Sequence, residues 1–170
     1  MYCLIAKSPR RPLGALLAAG LLVAGAACRR THTVTTADGK VSYQDKGKDA
    51  GAITVTGKDG NTATLSFNQN KVPDDYPKDL PVYSPAKVVM SQSASEKHAR
   101  NLMLESPDAV DRIVDFYKKG LDSNGWKTES TMTTAQLTIL TATKDHRQAV
   151  LQITDTGDKR GVMQVVSDKQ

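Results

Sequence analysis

At 170 residues the chain has the length for one modest domain plus an appendage. Its formal charge of +5 comes from 23 Lys and Arg against 18 Asp and Glu, but three of the basic residues, Lys7, Arg10 and Arg11, stand together near the start, and beyond them the balance is 20 against 18 with the signs mixed. A nucleic-acid partner, which wants a basic stripe with interleaved aromatics, is thereby excluded.

After that positive leader comes an uncharged, Leu- and Ala-rich run over 13–27, and then Cys28. A helix that crosses a bilayer needs roughly 20 apolar residues, about 17 at the least. This run, headed by Pro12, is shorter and has the layout of an export signal. Gly25, Ala26, Ala27 and Cys28 resemble the lipobox of a bacterial lipoprotein signal peptide, with Gly25 standing where that family more often has Leu, Val or Ile. The resemblance makes 1–27 a signal peptide cut between Ala27 and Cys28. It also implies a diacylglycerol thioether on Cys28 and membrane attachment through that lipid, at about 0.8 kcal/mol per buried CH₂. The rival is an ordinary signal cut after an Ala-x-Ala site, which releases a soluble periplasmic protein. Arg29, in place of the Asp that commonly retains lipoproteins at an inner membrane, implies the outer membrane in a host with two. Cys3 leaves with the leader and Cys28 carries lipid, so the mature chain has no thiol pair for a disulfide.

Residues 28–32 read as a short polar tether, and 33–71 as a β-hairpin region with a weak repeat. TVTTADGKVSYQ from Thr33 and TVTGKDGNTATLSF from Thr54 each place alternating β-formers on either side of an Asp-Gly turn, Asp38-Gly39 and Asp59-Gly60. The apolar sides are thin: Val34, Val41 and Tyr43 in the first, Ile53, Val55, Leu65 and Phe67 in the second. An isolated hairpin is marginal in water, so the two are expected to stack on each other or dock on the C-terminal domain. Asp38, Asp45, Asp49 and Asp59 lack the calcium-loop rhythm and read as turn acids.

In 72–87, Pro73, Pro77, Pro81 and Pro85 recur every fourth residue. Such spacing disfavours helix and central strand, and predicts an extended Pro-rich connector. Tyr76, Leu80 and Tyr83 are expected to pin it against a sheet, while Asp74, Asp75 and Asp79 solvate it. Tyr76 and Tyr83 are also the candidate lining of a ligand cleft between the connector and the domain beyond.

Residues 88–170 predict an α+β domain. Strands over 87–93 and 99–105 are followed by a helix with Ser106 as N-cap, Pro107 as first residue and Asp108 and Asp111 at the positive end of its dipole. Val110, Ile113, Val114, Tyr117 and Leu121 form one apolar stripe flanked by Phe116, and Gly125 supplies the stop. Gly120 costs about 1 kcal/mol relative to Ala, which predicts a loose last turn or a close approach to a neighbour. Strands over 126–133, 137–143, 148–154 and 162–167 complete an antiparallel sheet with the helix packed across one face. DFYKKGLDSNGW, with YPKDLPVYSPAKVV before it, resembles a module of small exported bacterial proteins in which a Phe-Tyr helix ends in Gly-Trp and enters a strand. That resemblance spans roughly Val72 to Val166, implies architecture and export, and carries no active site; Phe116, Tyr117 and Trp126 are its core positions.

Chemistry is sparse. His32, His98 and His146 stand apart, and no zinc, thiol-redox, nucleophile-elbow or P-loop pattern is present. Glu105 and Asp108 flank the helix start and read as capping rather than as a glycosidase pair. The sequence therefore predicts a non-enzymatic, lipid-anchored envelope protein without cofactor or metal, whose partners are the membrane through Cys28 and an envelope protein or the wall. The competing reading is a small-ligand or cell-wall glycan binder, or a weak hydrolase, built on the cleft at Tyr76 and Tyr83.

Overall fold

The computed structural model describes residues 30–96 and 98–169. The leader over 1–27, the cleavage pair Ala27 and Cys28, and the lipidation site itself lie outside them. Ten strands and one helix run in order: β1 (Arg30–Thr36), β2 (Gly39–Gly47), β3 (Ala50–Gly57), β4 (Thr62–Phe67), β5 (Lys87–Ala94), β6 (Ala99–Ser106), α1 (Val110–Ser123), β7 (Lys127–Thr133), β8 (Leu137–Lys144), β9 (Arg147–Asp155) and β10 (Arg160–Asp168). The fold is α+β. All ten strands form one antiparallel sheet in the order β1-β2-β3-β4-β5-β6-β10-β9-β8-β7.

The helix lies across one face because its stripe must be buried: Ile113, Tyr117 and Leu121, at i, i+4 and i+8, are fully enclosed, with Val110, Val114 and Phe116 packed at their margin. Each such side chain contributes about 1.5–3 kcal/mol. The helix starts later than the sequence predicts. Ser106 is not its N-cap but the buried last residue of β6, whose Oγ accepts the Asp108 N–H at 3.1 Å. The Asp108 carboxylate is drawn to Tyr83 and Arg112, which leaves Ala109 as an N-cap without a side-chain bond. At the other end Gly125, with φ +76°, permits the Trp126 N–H to reach Leu121 O and the Gly125 N–H to reach Asp122 O. This crossed pair satisfies the last carbonyls of the helix and turns Trp126 into the core.

The Pro-rich stretch is a lid on the core rather than an extended connector. Its spacing of four makes successive tight turns, in which the Tyr76 N–H donates to Pro73 O and the Leu80 N–H to Pro77 O, followed by Ala86 N–H to Tyr83 O. Each turn delivers an apolar side chain inward, so Tyr76, Leu80 and Tyr83 are buried in the same core as the helix and strands β5, β6, β8, β9 and β10. Pro81 lies on Gly120: a Cβ there would come within 2.8 Å of the Pro81 ring. The close neighbour of Gly120 is therefore this lid.

Strands β1 to β4 attach to the C-terminal domain by edge pairing and do not pack on its core. The turn at Lys48 and Asp49, both at positive φ, joins β2 to β3 and makes a four-strand meander, which enters the sheet edge-on by pairing β4 with β5. Strand β1 begins at Arg30, so the segment expected as a tether is already paired in part.

Candidate functional site

Tyr76 and Tyr83, the candidate cleft residues, are both buried, and their hydroxyls are occupied by the protein itself. Tyr76 Oη donates to Gln164 Oε1 at 2.5 Å, and Gln164 Nε2 donates to Tyr117 Oη at 2.6 Å and to Pro81 O at 3.1 Å. Gln164 sits in mid-sheet on β10 with no exposure, so this amide joins lid, helix and sheet at one point. Burial raises the Tyr76 phenol far above the ordinary value and pushes Tyr117 up to about 12, keeping both protonated as hydrogen-bonding groups. Tyr83 Oη donates to Asp108 Oδ2 at 2.5 Å, and its ring meets Phe116 edge-on at 5.0 Å. Two shallow concavities flank the lid, one of about 380 Å³ against Val72, Val82, Tyr83 and Val88, the other of about 490 Å³ against Tyr76, Pro77, Leu80 and Pro81.

The remaining polar candidates are engaged locally. Asp79 is held by Arg147 and Lys144 from the β8–β9 turn, which carries its carboxyl well below the usual range, the Arg147 hydrogen bonds being the larger cause. Arg147 also stacks over Trp126 at 5.0 Å, and Trp126 Nε1 donates to Asp79 O. Glu105 pairs with Lys159, and Asp108 with Arg112. The fold brings His98 and His146 to one carboxylate, Asp168, at 2.8 and 3.5 Å, on the exposed surface, whereas His32 lies on β1. Among the described residues no group of three or more His, Cys, Asp or Glu is placed to hold a metal ion, and no helix is long and apolar enough to cross a membrane.

The feature that sequence reasoning missed lies on the opposite face of the sheet. Strand register carries one row of directly paired residues across it: Phe67, Met90, Met103, Met163, Gln152, Ile139 and Met132. All of the chain's methionines other than Met1 stand in this row. The adjacent row runs Tyr43, Ile53, Leu65, Gln92, Asn101, Val165, Val150 and Thr141, and beyond it Val34 pairs with Val41 and Val41 with Val55. Every exposed large apolar side chain among the described residues belongs to this face, including Val34 at 62%, Met132 at 53%, Met90 at 40% and Met103 at 39%. From Phe67 to Met132, and from Tyr43 to Thr141, neither row contains Asp, Glu, Lys or Arg; past Phe67 the first row continues through Gly51 to Asp45. Phe67 spreads over Gly51, where a Cβ would stand 2.7 Å from its ring.

The same face continues through the four-strand meander, whose other side is largely Thr and Ser with Ala52 among them, so the large apolar side chains of the meander stand only here. Antiparallel sheets commonly leave one side polar to water; this one is apolar on both sides over β5 to β10. Contiguous exposed apolar patches beyond a few hundred Å² are rare on monomers and mark interaction sites. The available sequence signal was the unbroken apolar runs of β5, β6 and β10, Val88-Val89-Met90, Leu102-Met103-Leu104 and Val162-Met163, which a one-sided strand does not need.

A family model described as START domain-like matches residues 87–161, that is β5 through the first residues of β10. The match leaves out the lid and the meander. No curated protein and no solved structure matches the chain.

Proposed function

We propose that this chain is a non-catalytic binding module of the bacterial cell envelope, held at a bilayer by lipid on Cys28 and working through the uncovered face of its sheet. The observation that carries the binding role is the uncharged apolar surface built around Met90, Met103, Met163 and Met132, on the side away from the helix. Large apolar surfaces with methionine at their centre are adaptable contact surfaces. The anchor rests on the lipobox-like Gly25 to Cys28, and Arg29 favours the outer membrane where the host has two. In this reading 1–27 is removed, the meander widens the binding face, and the lid and helix seal the other.

Two measurements test it. A clickable fatty acid labels the mature protein and fails to label Cys28→Ser; an unlabelled wild type overturns the anchor. A photo-crosslinking residue at Met103 in intact cells gives specific adducts, while one at the exposed helix position Lys118 does not; no adduct at Met103 overturns the binding face.

A second reading, a small-ligand or glycan binder, is favoured by the START domain-like match and by the two concavities beside Tyr76 and Tyr83. Ligand-induced quenching or protection centred on Trp126 and the lid, with Met103 unaffected, would select it.

A further inference from the structure

We propose that the uncovered face is the interface of a homodimer, a second copy of the chain laying the same face against it; this rests on the binding reading above and names the partner. The first argument is size. Ten strands at about 4.8 Å and some seven residues at about 3.3 Å give a face of ~1,000 Å², so two copies remove ~2,000 Å² from water, the upper end of a standard stable interface.

The second argument is charge. Two rim carboxylates are paired within the chain, Glu105 with Lys159 at 3.0 Å and Glu129 with Lys127 at 3.3 Å, while Thr143 Oγ1 also donates to Glu129; the register adds Lys87 and Asp45, of opposite sign, at the margins. Such a face presents no single-sign field to draw an anionic bilayer or an oppositely charged protein. An apolar surface with a rim of both signs can meet its own copy, as an isologous contact requires.

The third argument is layout. Met90 and Met103 pair across β5 and β6, the two middle strands of the ten. A two-fold axis parallel to the strands and passing over that pair sets the meander of each copy on the outer side of β7 to β10 of the other. The meander, in which Ala52 is the one buried apolar side chain among the described residues, would then share a second core, as paired sheets do in sandwiches.

The test uses the full-length chain in cells. Met103→Cys and, on the helix side, Lys118→Cys are treated with a short bis-maleimide, with the unsubstituted chain as background. In parallel, sulfoxide formation by peroxide at the four methionines is compared with that in urea-unfolded protein. The expected result is a band of twice the chain mass from Met103→Cys alone, and at least tenfold slower oxidation of Met90 and Met103 than in the unfolded chain. Protected methionines without that band overturn the homodimer and leave the binding reading standing, since something else then covers the face. Unprotected methionines overturn both, whether or not a collisional band forms, and equal bands from both cysteines overturn the homodimer.

Discussion

Asp79 and Arg147 meet through two parallel hydrogen bonds, Nη1 to Oδ1 at 3.0 Å and Nη2 to Oδ2 at 2.6 Å, tying the lid to the β8–β9 turn across 68 residues of sequence. Because Lys144 and the Trp126 ring complete the clasp, and Lys144 also donates to Asn124 O, it fixes the middle of the lid beside the C-terminus of the helix.

Replacing Asp79 with Asn removes this charge-assisted pairing and is expected to cost about 2 kcal/mol in urea or thermal unfolding at neutral pH. Since the Asp79 carboxyl is lowered from 3.8 in the folded protein, its contribution is fully present above that value and is lost as the pH falls toward the lowered one. Stability measured between pH 5 and 2 therefore falls less steeply in Asp79→Asn than in wild type.

The Tyr76, Gln164 and Tyr117 junction predicts strong coupling. Gln164→Leu strands the Tyr76 hydroxyl and Pro81 O in the core and costs about 3 kcal/mol; Tyr76→Phe strands Gln164 Oε1 and costs about 1–2 kcal/mol. The double variant loses less than the sum, which a double-mutant cycle reads directly. The raised tyrosines add an alkaline limit: their contribution is complete below the unfolded value of 10.0 and is lost as pH rises toward about 12 at Tyr117. The phenolate absorbance of Tyr76 and Tyr117, isolated by difference from their Phe variants, is expected to appear together with unfolding in that range.

Gly120→Ala sets helix propensity against packing. Alanine gains about 1 kcal/mol in a helix interior, but its Cβ meets the Pro81 ring at 2.8 Å, and overpacking typically costs about 1–3 kcal/mol. Pro81 is held by its carbonyl bond to Gln164, so packing wins and the variant is less stable. Pro81→Gly removes the Cβ and Cγ that the new methyl meets, so Gly120→Ala costs less in that background than in wild type, measured by the unfolding midpoint.

Hydrogen exchange is expected to grade across the sheet. Strand β1 is an edge whose residues 31–36 are all exposed, whereas β9 and β10 are interior strands with Leu151, Ile153, Val162 and Val166 enclosed. Amides of β1 should exchange at least ~100-fold faster than those of β9. Equal protection across the ten strands would contradict the burial pattern.

The C-terminal elements were legible because local rules and tertiary packing agree there. The stripe at Ile113, Tyr117 and Leu121, the Gly125 stop and the polar turns mark the helix and strands to within about a turn. The helix start was misread because Ser106 and Pro107 fit a cap by residue type, whereas Ser106 completes β6 and its hydroxyl is taken by the Asp108 N–H, two residues before the helix begins. The lid was half legible. Proline spacing excludes helix, yet whether turns face solvent or core depends on Gln164, a polar residue mid-strand whose partners lie far away in sequence. The methionine row was hidden for a similar reason: its four methionines stand on four different strands, and register alone aligns them.

The bond from Tyr76 to Gln164 spans 88 residues, and its acceptor lies on β10, the last of the ten strands in chain order. A chain emerging N-terminus first can form the meander early, but its lid has nothing to close on until β10 has emerged. Non-local closure of this kind is slow, so a truncation that spares every earlier element yet removes β10 should leave an open, protease-sensitive intermediate rather than a smaller version of the same domain.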